Sequence, residues 1–82
     1  MVMDPAADIH INTPVFAHDG VQIGQVKEVT PNAIKVDAPL RPDYWIERTH
    51  VVSFTSERVT VDFESSLIDR FASSLQPRAG RP

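Results

Sequence analysis

Val15-Phe16-Ala17-His18-Asp19-Gly20-Val21-Gln22-Ile23-Gly24-Gln25-Val26 reads as a strand, a tight turn and a second strand. Val15 and Phe16 favour the pleated, half-buried surface of a sheet. In Asp19-Gly20 the aspartate tolerates a left-handed backbone and the glycine supplies positive φ, which is hairpin-turn chemistry. The second strand is expected to start near Val21, with Val21 and Ile23 on one face. After Gly24 the apolar phase moves to Val26, the slip that a bulge or bend at Gly24 would produce.

The same alternation continues downstream. Thr30-Pro31-Asn32-Ala33 has turn composition, and beyond it Ile34 and Val36 face one way while Lys35 and Asp37 face the other. The proline-flanked stretch Ala38-Pro39-Leu40-Arg41-Pro42 is too short to separate domains and reads as a loop. Asp43-Tyr44-Trp45-Ile46-Glu47 and Val51-Val52-Ser53-Phe54 are rich in β-formers, and Ser56-Glu57 marks a turn. In Arg58-Val59-Thr60-Val61-Asp62-Phe63 the residues Val59, Val61 and Phe63 belong inside. Turn signals recur at intervals of roughly ten residues, the spacing of a small sandwich or barrel.

At the end the period changes. Leu67, Ile68, Phe71 and Leu75 form one helical stripe, which predicts a short helix over residues 66–75, with Ser66 and Asp69 as its capping pair. So short a helix is marginal alone in water, so the stripe must cover its own sheet or pack on a second copy. Residues 1–8 and 76–82 contain prolines and small residues and are expected to be loose tails around one domain, residues 9–75.

Composition agrees with one small folded unit. A chain of 82 residues buries about 60 to 65% of its unfolded surface, enough for one core but not for a deep cleft. With 41% hydrophobic and 23% charged residues it lacks the signature of disorder. Its 8 basic residues are outnumbered by 11 acidic ones, without a Lys/Arg run to follow a phosphate backbone, so nucleic acid is an unlikely partner. The absence of cysteine excludes disulfides and thiolate zinc sites, and no apolar run is long enough to span a membrane.

These residues together resemble the PRC-barrel family. The resemblance rests on the strand, Asp-Gly turn and Ile-Gly-x-Val step of residues 15–26, on Ala33-Ile34-Lys35-Val36-Asp37, on Asp43-Tyr44-Trp45-Ile46, and on residues 51–63 as a closing hairpin. It covers residues 9–65 and looks nearest to small stand-alone bacterial versions of unknown function. The wider superfamily includes the cytoplasmic domain of the photosynthetic reaction centre H subunit and the C-terminal domain of a ribosome maturation factor, both docking modules. The resemblance implies a mainly β, SH3-like barrel of about six strands that binds protein in the bacterial cytoplasm. The terminal helix has no counterpart in the family's core pattern.

Chemistry-bearing residues do not form a recognisable set. His10, His18 and His50 share no ligand spacing, so no metal or other cofactor is expected. Asp19, Asp37, Asp43 and Ser53 have no spacing that requires an acid pair or an activated nucleophile. Gly20 and Gly24 lack the Lys-Ser/Thr ending of a phosphate loop. Tyr44 and Trp45, adjacent on a strand, point to opposite faces, which leaves one on the outside; with Arg41 and Arg48 it makes a candidate partner contact. The plainer alternative has Trp45 capping the barrel and Tyr44 covering its rim. The expectation is a non-enzymatic interaction or assembly module, homodimeric if the stripe Leu67, Ile68, Phe71, Leu75 self-associates. The alternative is a small ligand-binding or RNA-associated barrel, in which exposed aromatics stack bases.

Overall fold

The structure, a computed structural model, describes residues 9–39 and 41–73. Six strands follow one another: β1 (Pro14–Phe16), β2 (Gln22–Val29), β3 (Ala33–Asp37), β4 (Tyr44–Glu47), β5 (Val51–Phe54) and β6 (Val59–Val61). One 3-10 turn, Arg48–His50, joins β4 to β5; another, Ser65–Leu67, leads into the helix α1 (Ile68–Phe71). The fold is mainly β with a short terminal helix, as the two periodicities predict.

All six strands share one sheet in the order β4-β3-β2-β1-β6-β5, antiparallel except for the parallel pair β1 and β6. That order dictates the shape. In a flat sheet β4 and β5, the two outermost strands, would stand about 24 Å apart at the usual spacing of about 4.8 Å. The 3 residues of a 3-10 turn, rising about 2 Å each, connect them instead. The sheet therefore rolls around a core until the end of β4 approaches the start of β5, with no ladder between the two.

The core is drawn from nearly every strand. Val15, Val26, Ile34, Val36, Ile46, Val59 and Val61 are fully buried, and Phe63 is buried just beyond β6. Each such side chain contributes about 1.5 to 3 kcal/mol relative to exposure. The expected turns form as well. Gly20 has a φ of +88°, and Ala17 accepts its N–H at 3.0 Å. Thr30 and Ala33 close the second turn, and the Thr55 hydroxyl oxygen accepts the N–H groups of Glu57 and Arg58 in the third.

Gly24 is the bend that the phase change requires. Val15 lies opposite Gly24 but Phe16 lies opposite Gln22, so Ile23 is an extra residue in β2. Gly24 takes a φ of +151°, and a Cβ there would sit 2.6 Å from Val36 Cγ1 and 2.7 Å from the Asp37 carbonyl oxygen. Two further register slips occur, at Lys27 against β3 and at Val52 against β6. No glycine marks either, and neither is visible in the sequence.

Three expectations are corrected. Val21 precedes β2 and is 50% exposed, because the Asp-Gly turn ends one residue later than the alternation suggests. The helical segment begins at Ser65 and ends at Phe71; Ala72 is extended, and Ser73 forms a β-bridge with Trp45. Ser66 does not cap it, since neither helical piece has a side-chain hydrogen bond from its own N-cap residue. Leu75 and the expected tails, residues 1–8 and 76–82, lie outside the described residues.

Candidate functional site

β4 divides its aromatics between two faces, yet exposes neither. Tyr44 and Ile46 join the core cluster, while Trp45 stands outside it. Tyr44 is 4% exposed and Trp45 7%, which corrects the expectation that one of them stays on the surface. The Tyr44 hydroxyl donates to the Ile23 carbonyl at 3.1 Å, and burial pushes its phenol up to about 12, with a smaller opposing pull from Arg41. Trp45 lies under the Lys35 ammonium, 5.7 Å from the ring centre. Its backbone N–H donates to Ser73 at 2.7 Å, and Ser73 N–H donates back at 2.9 Å. The chain after the helix therefore covers β4 along its outer edge.

Arg41 and Tyr44 meet at the mouth of a shallow cleft of about 190 Å³ lined by Arg41, Pro42, Asp43, Tyr44, Asp69, Ala72 and Ser73. The Arg41 guanidinium sits 5.1 Å from the Tyr44 ring centre and pairs with the Asp69 carboxylate at 2.6 Å. The guanidinium is thereby engaged on both sides, stacked on the ring and paired with the carboxylate. Beside it the Lys27 ammonium, 2.8 Å from Asp43, holds that carboxyl below its ordinary range. A second cleft, about 320 Å³, opens beside the bulge between Gln22, Gly24, Gln25, Asp37 and Pro39.

Arg48 belongs to neither cleft. Its guanidinium donates to the Thr30 carbonyl at 3.1 Å and its backbone N–H to Asn32, so it clamps the turn between β2 and β3. Of the expected contact residues, Arg41 and Tyr44 are brought together; Trp45 and Arg48 face elsewhere.

The helical stripe turns partly inward. Ile68 and Phe71 pack against the core, and Phe71 stacks on Phe63 at 4.6 Å with His50 edge-on at 4.7 Å. Leu67 remains 36% exposed. Asp19, in the turn after β1, reaches across the molecule to this segment: its carboxylate accepts the Ser65 hydroxyl at 2.9 Å and the Ser65 N–H at 3.4 Å. The first of these bonds is the main reason its carboxyl lies below the ordinary range. Asp19 thus supplies from a distance the cap that Ser66 does not. Nothing in the local sequence signals a contact between residues so far apart.

The remaining candidates do not converge. His10 and His18 are exposed, and His50 contacts Asp62 at 3.1 Å. Among the described residues no group of three or more potential ligands is placed to hold a metal ion. Ser53 is exposed on β5, apart from Asp19 and Asp43 with their own partners. No family model, curated protein or solved structure matches this chain.

Proposed function

We propose that this chain is a non-enzymatic interaction module of the PRC-barrel type, docking in the cytoplasm onto another protein or a second copy of itself. The resemblance of residues 15–26 and the rolled six-strand sheet support the type. The observation that carries the role is the engagement of four of the acids in the fold: Asp19 with Ser65, Asp43 with Lys27, Asp62 with His50 and Asp69 with Arg41. A general acid or base needs a pKa drawn toward the working pH, and Asp19 and Asp43 are held in the opposite direction. Among polar and charged neighbours the surface also presents the apolar side chains of Ile11, Val21 and Val52, the last 58% exposed on an outermost strand. The aromatic pair that suggested base stacking is buried, which weakens the RNA and small-ligand alternative.

Light scattering over a range of concentrations tests the reading. A mass rising from 9.1 kDa toward a dimer supports self-docking, and capture of a protein that Val52→Glu abolishes supports a foreign partner. A constant monomer that captures nothing removes the proposal.

A further inference from the structure

Residues 65–73 form a strap laid over the rolled sheet. It starts at Ser65 under Asp19, passes Phe63 and His50 through Phe71, pairs with Arg41 through Asp69, and ends on the outer edge of β4 at Ser73. No residue within it is fully buried, whereas Ile46, Val59 and Val61 in the strands are. It joins the barrel through Glu64, an exposed residue in extended conformation (φ −77°, ψ 156°) next to the buried Phe63. Removal of the strap leaves the Trp45 N–H and carbonyl unpaired at the edge of β4, a surface that templates pairing with another strand.

We propose that the strap is exchangeable, and that two copies associate by each laying residues 65–73 on the other's β4 edge and Arg41 cleft. This rests on the interaction-module reading and names its partner and surface. A second copy is the occupant because its own strap carries every complementary group: Ser65 for Asp19, Asp69 for Arg41, Phe71 for Phe63, and the Ser73 backbone for Trp45. The contacts made between copies are those already made within one, so only the chain direction at Glu64 and the concentration decide which set forms. The intramolecular strap competes at an effective concentration of roughly millimolar, so the parent exchanges mainly in concentrated solution.

Charge reversal at one contact tests this on the whole chain. In Arg41→Asp the strap meets a carboxylate with a carboxylate, and in Asp69→Arg a guanidinium meets a guanidinium. Each repels its own strap, but a mixture restores both attractive pairs when the straps are exchanged. Each substitution shifts the net charge of −3 by two units, leaving both chains acidic, so bulk attraction does not imitate the result. Native mass spectrometry of the mixture should show heterodimer at about tenfold the level of either homodimer. The double variant Arg41→Asp/Asp69→Arg should behave as the parent.

A second readout needs no substitution. In concentrated mixtures of isotope-labelled and unlabelled parent chain, isotope-filtered NMR should show Phe71 of one copy against Phe63 of another. A dimer without such contacts overturns the exchange and leaves self-docking by another surface standing. A mixture of the variants with no excess heterodimer, together with a parent monomeric at all concentrations, overturns the exchange and confines docking to foreign partners.

Discussion

The two glycines with positive φ separate conformational cost from steric cost. Gly20 has no atom within 4 Å of a would-be Cβ, so Gly20→Ala should cost only the backbone term, about 1 kcal/mol. At Gly24 the Cβ meets Val36 and the Asp37 backbone, so Gly24→Ala should cost about 3 kcal/mol, and the difference should appear as a melting temperature lower by about 8 to 16 °C. Equal losses would show that the Gly24 contact relaxes freely. Tyr44, the single tyrosine, is readable by the absorbance of its ionised phenol. Its folded pKa, about 12, lies above the ordinary value of 10.0, so the folded state keeps the proton longer than the unfolded one. Its contribution to stability is therefore complete below about pH 10 and is lost as the pH rises toward 12. Absorbance titrating near pH 10 in folded protein would mean that the ring is accessible. At this scale the sequence was informative where a backbone need singles out one residue type, as at Gly20 and Gly24. It left Tyr44 and Trp45 between two readings, one ring exposed or both covering the barrel, because alternation tells which face a residue takes and not what else covers that face.

The strap depends on contacts distant in sequence. Asp19→Asn weakens the acceptor for Ser65 and should raise hydrogen exchange at the Trp45 and Ser73 amides while leaving Val15 and Val36 protected. Acid should act in the same direction: the folded carboxyl is held below 3.8, so its contribution is complete above that value and fades as pH falls through the lowered pKa. Unchanged exchange at Trp45 in both cases would show that Asp19 does not hold the strap. Phe71→Ala removes the stack on Phe63 and should cost about 1 to 2 kcal/mol. The helical stripe was legible because Ile68 and Phe71 share a face. Its end was not, because no proline or glycine stands near Phe71; the two backbone bonds between Ser73 and Trp45 draw the chain into an extended form there. The cleft was half legible for the same reason: Arg41 and Tyr44 are near neighbours in sequence, whereas Asp69 arrives with the strap.

Across the whole molecule, β1 joins two parts of unequal size, β2–β3–β4 on one side and β6–β5 on the other, and its central residue, Val15, belongs to the common core. The parts should therefore unfold together. Fluorescence of Trp45, the single tryptophan, reports the β4 end, and it should change at the same denaturant concentration as far-ultraviolet circular dichroism, which reports the entire sheet. Separate midpoints would show that β1 does not couple the two parts. The turn Arg48–His50 spans the ends of the rolled sheet and is tied on each side, Arg48 N–H donating to the Asn32 carbonyl and the His50 carbonyl accepting from Asp62, while Thr49 between them makes neither bond. A break in the chain at Thr49 would leave the strand order intact and divide the protein into two complementary pieces, one carrying β1 to β4 and the other β5, β6 and the helix. The parallel ladder of β1 with β6 and the bridge from Ser73 to Trp45 would be their points of reassembly, which makes this small domain a candidate scaffold for a split reporter.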